Sequence, residues 1–150
     1  MASSQKTGKV GIRELQRLKK EGEKLVAVTA YDACFARLAD ESGMDLILVG
    51  DSVGMTMLGY ETTLPVTLEQ SLHHTAAVVR GVERAMVVGD MPFLTTRVSV
   101  EETVRNAGRY LQEAGAAAVK VEGGEEIAAT VSKLTSAGIP VLGHIGILPQ

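Results

Sequence analysis

The sequence has little cysteine and no long apolar run, and each shortage excludes a class of protein. With Cys34 as its one cysteine, it forms no internal disulfide, which favours the reducing cytoplasm. We expect Cys34 to pack as a small hydrophobic residue. No apolar stretch approaches the roughly 20 residues of a membrane helix, and residues 1–10 lack the apolar core of a secretory signal. These features predict a cytoplasmic protein without membrane contacts.

A basic cluster is also missing. Fifteen lysines and arginines stand against eighteen acidic residues, for a net charge of -3, so a nucleic-acid surface has no electrostatic support. The chain also lacks a low-complexity tract or a linker, and 45% of its residues are hydrophobic. We therefore expect one globular unit over residues 11–150, preceded by a flexible segment over residues 1–10.

What the sequence has is a regular alternation of apolar strands and amphipathic helices. The predicted strands are residues 25–30, 45–50, 85–89, 117–123 and 140–146. The predicted helices are residues 11–23, 31–43, 67–79, 99–115 and 125–138. Strands joined by helices run parallel, with right-handed crossovers. Two architectures remain open: a doubly wound sheet, or about five units of an eight-fold barrel of about 250 residues.

Carboxylates follow three successive predicted strands. Asp51, Asp90 and Glu122 are separated by 39 and 32 residues, each close to one strand–helix repeat. Either architecture gathers the carboxyl ends of its strands on one face, so we expect the three side chains around one mouth. Like charges there call for a compensating cation, and Mg2+ prefers oxygen ligands. The alternative for each residue alone is capping of the following helix or turn.

Lys120 lies two residues before Glu122, so both side chains leave the same face of the fourth strand. Val119 and Val121 then face the helices. A lysine on the inner face of a strand needs an anion. That anion is either an internal partner, Glu122 or Asp90, or the carboxylate of a substrate. A metal and a lysine together would suit a chelating α-keto acid, whose enolate they could stabilise.

Three histidines and a tyrosine are further candidates. His73 and His74 are adjacent on a helix and point in different directions, so we expect structural positions for both. His144 ends the fifth strand and is either a proton donor or relay at the mouth or a structural residue. Tyr31 ends the first strand and is another possible mouth residue.

The connection after the second strand is unusually long. Residues 53–66 carry Met55, Met57, Leu58 and Tyr60, and apolar side chains on a loop need a surface to cover. Loops beyond about 12 to 15 residues are usually functional or disordered. We expect this segment to be a lid or a subunit contact.

From about residue 11 onward the chain resembles the ketopantoate hydroxymethyltransferase family. The likeness rests on several motifs in order, which are "VTAYD", "LVGDSVGMTMLGYETTLPVT", "HHTAAVVRG", "DMPF", "VKVEGG" and "PVLGHIGILPQ". The resemblance implies a (β/α)8 TIM-type barrel, of which this chain supplies about the first five β/α units plus an N-terminal helix. It also implies homo-oligomers, decameric in the family.

The activity that the resemblance implies is transfer of a hydroxymethyl group from 5,10-methylenetetrahydrofolate to 3-methyl-2-oxobutanoate. The product is 2-dehydropantoate, in pantothenate and coenzyme A synthesis, and enolisation is assisted by Mg2+. Carried over by motif, the Mg2+ residues are Asp51, Asp90 and Glu122, the last directly or through water. The substrate residues are Asp51, Ser52, Asp90 and Lys120.

The family's proton acceptor is a glutamate on a later strand, past Gln150. The resemblance therefore implies no catalytic base within this chain, with His144 as the one substitute, and we expect the chain alone to be inactive. Two other interpretations remain. One is a receiver-like doubly wound domain that binds Mg2+ and is phosphorylated on an aspartate. The other is a non-catalytic part of the enzyme that keeps the metal site.

Overall fold

The computed structural model describes residues 8–147. Its helices are α1 (Ile12–Glu21), α2 (Ala33–Glu41), α3 (Val53–Thr56), α4 (Leu68–Gly81), α5 (Val100–Gln112) and α6 (Ala128–Ser136), with a 3-10 turn at Glu125–Ile127 before α6. Its strands are β1 (Ala27–Thr29), β2 (Leu46–Val49), β3 (Met86–Asp90), β4 (Ala118–Glu122) and β5 (Val141–His144). The predicted alternation is confirmed, except that the long connection contains the short helix α3.

The five strands form one parallel sheet in the order β1-β2-β3-β4-β5. Each strand pairs with the next one in sequence, so the chain winds in one direction only. A receiver-like sheet has the order 2-1-3-4-5, because its chain reverses direction once. The doubly wound alternative is therefore wrong, and the described chain forms five successive units of a barrel wall.

The three central strands, β2 to β4, are buried on both faces, as strands of parallel sheets are. On the outer face, Ile47, Val49 and Val87 pack beneath α2 and α4, while Val119 and Val121 pack beneath α5 and α6. The prediction that the two β4 valines face the helices is confirmed. On the inner face the apolar cluster is Val10, Leu46, Met86, Val88 and Ala118. The inner cluster lies toward the amino ends of the strands and leaves their carboxyl ends to polar residues.

Val10 lies at the start of the described chain and is already part of this core. It is 3% exposed, and its N–H donates to the carbonyl of Arg84 at 2.7 Å. Residues 1–7, most of the segment expected to be flexible, lie outside the described part of the chain, so a boundary at residue 10 stays a prediction.

Side-chain caps begin three of the crossover helices. Asp32 caps α2 by accepting the N–H groups of Cys34 and Phe35. Thr67 and Gln70 form a reciprocal capping box at the start of α4, as their spacing predicts. Ser99 accepts the N–H of Glu102 at 3.1 Å and caps α5. Where α2 crosses α4, the backbones approach so closely that a Cβ at Gly81 would lie 2.3 Å from the carbonyl oxygen of Ala33.

The turn before β3 is held from the C-terminal end of α2. The carboxylate of Asp40 accepts the N–H groups of Glu83, Arg84 and Ala85 at 2.7 to 3.0 Å. The Arg84 guanidinium then contacts buried Asp45 at 3.3 Å. This cluster lies near the amino ends of the strands, away from the predicted mouth.

Both outer strands of the sheet leave apolar surface uncovered. Beside β1, Val28, Phe35 and Leu38 are exposed next to a groove of about 260 Å3. Near β5, Leu142 lines a larger cavity of about 440 Å3 against the inner apolar cluster. Cys34 on α2 is exposed, so the expectation that it packs in the core is wrong.

Within residues 8–147, the structure contains no helix whose length and apolar character would let it cross a membrane.

Candidate functional site

The candidate site lies at the carboxyl ends of β2 to β5. Asp51 follows β2, Asp90 ends β3, Glu122 ends β4 and His144 ends β5. The strand register places Asp90 beside Lys120 and Glu122 beside His144. The sequence pattern therefore brings these polar side chains to one face, because each strand ends at the same level of the sheet.

Lys120 joins two of the carboxylates. Its Nζ donates to Asp90 Oδ1 at 2.8 Å and Oδ2 at 2.9 Å, and to Glu122 Oε1 at 2.5 Å. All three residues are buried, with no more than 8% of each exposed. Both internal partners considered for Lys120 are thus present together. Burial tends to lower the pKa of Lys120, but the two carboxylates outweigh it and raise the pKa, so Lys120 is charged.

Glu122 also contacts β5. His144 Nδ1 lies 2.8 Å from Glu122 Oε1, the same oxygen that accepts from Lys120. The other oxygen, Oε2, is buried and has no hydrogen-bond partner in the described structure. His144, which the sequence left without a partner, is therefore engaged with Glu122, and one carboxylate oxygen remains for a ligand or water.

Asp51 lies next to Asp90. The N–H of Asp51 donates to Asp90 Oδ2 at 3.3 Å, and Asp51 is 3% exposed. Burial raises the pKa of Asp90 to about 6; Lys120 opposes this shift, and the charge of Asp51 adds to it. Two buried aspartates thus lie side by side, and the lysine that contacts Asp90 is shared with Glu122.

A hydrogen-bonded chain fixes Ser52 beside these carboxylates. Tyr31 Oη lies 2.8 Å from Ser52 Oγ, and His74 Nδ1 lies 2.8 Å from the Tyr31 carbonyl oxygen. Gly50 makes room for this arrangement, because a Cβ there would lie 2.7 Å from Ser52 Oγ. The structure therefore places Tyr31 at the mouth and gives His74 a structural contact, while His73 is exposed on α4.

The long connection is packed against its own residues. Val53, Gly54 and Val66 are buried, and Gln70 Nε2 donates to Tyr60 Oη at 2.8 Å. Met55 and Met57 are each 53% exposed on its outer surface. The segment has apolar side chains facing outward, and its use as a lid or subunit contact stays a prediction.

Two residues of the site environment gave no signal in the sequence. Ser71 and Tyr110 are buried behind β3 and both lie within hydrogen-bond distance of the Asp90 carbonyl oxygen. Each looks like an ordinary residue of an amphipathic helix. Only Gly89 hints at them, because a glycine inside a buried strand often marks a close approach.

The oxygen donors at this site suit a hard cation held by two carboxylates. Carboxylate oxygens are the ligands of Mg2+, which is often held by only one or two carboxylates, water and substrate. In residues 8–147 no group of three or more His, Cys, Asp and Glu side chains is arranged to hold a metal ion. Asp51 and Asp90 are adjacent, whereas Glu122 turns toward Lys120 and His144. The residues therefore fit a two-carboxylate site with Glu122 outside it.

Comparison with known proteins adds the family. The sequence model of ketopantoate hydroxymethyltransferase matches residues 9–150. The chain belongs to the ketopantoate hydroxymethyltransferase family. It is 56% identical over its full length to 3-methyl-2-oxobutanoate hydroxymethyltransferase of Syntrophus aciditrophicus, covering 55% of that protein. It is 57% identical to the Trichodesmium erythraeum protein of the same name, covering 94% of this chain and 54% of that one. The chain spans about half the length of these curated relatives.

Solved structures share the fold at low sequence identity. Phosphonopyruvate hydrolase, in a complex with oxalate and Mg2+, superposes with a TM-score of 0.71 at 17% identity, over 86% of this chain and 50% of that one. A 2,3-dimethylmalate lyase of the PEP mutase/isocitrate lyase superfamily gives 0.63 at 16% identity, over 87% and 51%. Together with the sheet order, these matches establish the described chain as part of a (β/α)8 TIM-type barrel.

Proposed function

We propose that this chain forms the metal- and keto-acid-binding part of a ketopantoate hydroxymethyltransferase. The reaction moves a hydroxymethyl group from 5,10-methylenetetrahydrofolate to 3-methyl-2-oxobutanoate and gives 2-dehydropantoate, for pantothenate synthesis. Family membership supports the reaction. The observation that carries the assignment to these residues is the buried Asp90–Lys120–Glu122 network, which lies beside Asp51 and is contacted by the partly buried His144.

Asp51 and Asp90 would hold Mg2+, with Glu122 outside this pair and contributing through water from its unpartnered Oε2. When bound, Mg2+ supplies a Lewis acid that polarises the keto acid carbonyl and stabilises the enolate charge. A fold relative that binds oxalate and Mg2+ supports this choice, because oxalate and an α-keto acid both offer two oxygens for chelation. The folate co-substrate has no assigned contact in residues 8–147.

Lys120 and Ser52 would bind the keto acid. Lys120 carries its charge in a buried position, where a cation stabilises a neighbouring carboxylate or enolate more strongly than in water. The Ser52 hydroxyl is oriented by Tyr31 at 2.8 Å and offers a hydrogen bond beside Asp51. These side chains orient the substrate and exclude water from its charged end.

The proton at C3 of the keto acid needs an acceptor. Asp90 and Glu122 already accept from Lys120, and His144 contacts Glu122, so the described residues of the network are engaged in holding charge. The family resemblance assigns the acceptor to a glutamate on a later strand. Turnover therefore requires barrel units that follow the five described here.

The proposal is tested in a chimera of residues 1–150 followed by the remaining part of the Syntrophus aciditrophicus relative. The chimera should form 2-dehydropantoate in the presence of Mg2+, 5,10-methylenetetrahydrofolate and 3-methyl-2-oxobutanoate. Lys120→Met and Asp90→Asn should each lower the rate by at least about a hundredfold. Lys133→Met, on the exposed side of α6, should not. Product formation that survives both site substitutions would overturn the assignment.

A further inference from the structure

Behind Asp90, on the helix side of the sheet, lies a closed triangle of three oxygens. Tyr110 Oη is 2.7 Å from Ser71 Oγ and 2.8 Å from the Asp90 carbonyl oxygen. Ser71 Oγ is 3.0 Å from the same carbonyl oxygen. Ser71 is on α4 and Tyr110 is on α5. The last residue of β3 is therefore hydrogen-bonded to both helices that cover it.

These hydroxyls are buried where a phenylalanine and an alanine would fill similar space. Ser71 is 1% exposed and Tyr110 is 0% exposed. A buried hydroxyl is costly unless it is hydrogen-bonded, so the pair is stable only because the carbonyl accepts from it. Burial also raises the pKa of Tyr110 above its ordinary range, so its hydroxyl keeps the proton that it donates.

The strand is shaped to admit the tyrosine ring. A Cβ at Gly89 would lie 2.3 Å from Tyr110 Cδ1 and 2.6 Å from Cε1. Gly89 therefore lets the ring lie flat across β3 and deliver its hydroxyl to the carbonyl of the next residue. Gly89 thus leaves room for the tyrosine ring, and both hydroxyls contact the carbonyl oxygen of Asp90, the residue that follows.

We propose that Ser71 and Tyr110 are positioning residues that hold the Asp90 carboxylate in place by fixing its main chain. This inference rests on the proposed metal and substrate role of Asp90. The carboxylate makes its contacts on the opposite side of the same residue, with Lys120 at 2.8 and 2.9 Å and with the Asp51 N–H at 3.3 Å. A small rotation of the last β3 peptide would move both carboxylate oxygens away from these partners.

The test compares hydroxyl deletions that differ only in what they touch. Tyr110→Phe and Ser71→Ala remove the hydroxyls behind Asp90. Thr103→Val is the matched control, because Thr103 is also fully buried on α5 and donates to a carbonyl oxygen, that of Ser99 at 2.8 Å. All three should lose a similar amount of stability, because each loses the hydrogen bonding of one buried hydroxyl. Stability alone therefore does not separate them.

Two readouts do separate them. Mn2+ binding, measured by calorimetry on the 150-residue chain, should weaken roughly three- to tenfold in Tyr110→Phe and Ser71→Ala, less than the 10–100-fold loss seen when a ligand's own partner is removed. The Asp51 amide proton, which donates to the Asp90 carboxylate, should shift in metal-free NMR spectra of both variants. Thr103→Val should match the parent in both measurements.

Each result decides one claim. Parent-like Mn2+ affinity and an unmoved Asp51 amide in Tyr110→Phe would overturn the positioning role and leave only a structural one. If the parent itself binds no Mn2+, the proposed metal site is wrong, and the Asp51 amide alone decides whether the hydroxyl pair holds the carboxylate. An equal loss of Mn2+ affinity in Thr103→Val would also overturn the inference, because general destabilisation would explain it.

Discussion

At the scale of single residues, the informative feature is the group of buried charged side chains at the carboxyl ends of the strands. Asp51, Asp90 and Glu122 are each no more than 3% exposed, and the cation among them is Lys120. Burial raises the pKa of Asp90 to about 6 against the opposing effect of Lys120, and the charge of Asp51 adds to the rise, so ionising both neighbouring aspartates carries a cost. A second cation would relieve it, which is why a metal site and an internal ion pair are compatible here.

We therefore expect Asp51→Asn and Asp90→Asn each to weaken Mg2+ binding at least tenfold, because each removes one of two charged ligands. Calorimetric titration of the folded chain measures this directly. Glu83→Gln, an exposed acidic residue at the amino-end turn, is the control and should bind as the parent does. Parent-like binding by both aspartate variants would show that the site lies elsewhere.

Lys120 permits a second prediction at this scale. Lys120→Met leaves Asp90 and Glu122 buried without their shared cation, which should destabilise the fold by about 3–5 kcal/mol. Lys120→Arg keeps the positive charge but replaces the compact ammonium group with a larger, planar guanidinium. We expect the arginine variant to fold and to lose most of its affinity for 3-methyl-2-oxobutanoate, measured by calorimetry in the chimera. Retained keto acid affinity in a folded Lys120→Arg protein would favour a purely structural ion pair.

At the scale of elements, most of the wall could be predicted from the sequence. Apolar strands and capped helices are local signals, so Thr67 and Ser99 marked helix starts correctly. The sheet order could not be predicted, because both architectures need the same local pattern. The pairing of Lys120 with Asp90 and Glu122 was among the possibilities that the sequence offered, whereas the partner of His144 depends on register between strands, and the Ser71–Tyr110 pair depends on how α4 and α5 pack. Those contacts are long-range and leave no periodic trace.

The crossing of α2 and α4 gives a prediction that separates crowding from helix propensity. Gly81→Ala should destabilise the chain by about 1–3 kcal/mol, because its Cβ would lie 2.3 Å from the Ala33 carbonyl oxygen. Gly108→Ala in α5 meets nothing within 4 Å and should stabilise by about 0.5–1 kcal/mol through helix propensity. Urea unfolding of both variants measures the two signs. Equal effects would mean that the helices separate to absorb the methyl group.

The turn before β3 predicts a pH effect. Burial acts against ionisation of Asp40, but N–H groups of residues 83–85 outweigh it and lower its pKa. A lowered carboxyl pKa stabilises the fold above the unfolded value, 3.8, and this stabilisation is lost as pH falls through the folded pKa. Asp40→Asn should therefore cost about 1–2 kcal/mol at neutral pH, since Asp40 is only partly buried. The difference in unfolding free energy between the parent and Asp40→Asn should shrink below about pH 4, measured by urea unfolding across the pH range. A difference that does not change with pH would contradict this explanation.

At the scale of the whole molecule, five units of a barrel wall leave both outer strands open. All three residues of β1 are exposed, and apolar side chains are exposed at both outer strands, Val28 on β1 and Leu142 on β5. Unpaired strand edges favour association with other chains. The charged network lies within this wall, whereas closure of the mouth depends on units that would continue it. The proposed binding by this network can therefore be measured on this chain separately from turnover.

We predict that the 150-residue chain alone does not remove the C3 proton of 3-methyl-2-oxobutanoate. Asp90 and Glu122 both accept hydrogen bonds from Lys120, so their oxygens are engaged with a cation rather than with a substrate proton. His144 Nδ1 already contacts Glu122 Oε1, the oxygen that accepts from Lys120, so a proton taken up by His144 would place a second cation at that oxygen. The measurement is deuterium exchange at C3 with Mg2+, on the chain and on the chimera with the relative's later strands. Exchange only in the chimera is the expected result. Comparable exchange in both would contradict the prediction, and loss of that exchange in His144→Gln would then identify His144 as the base.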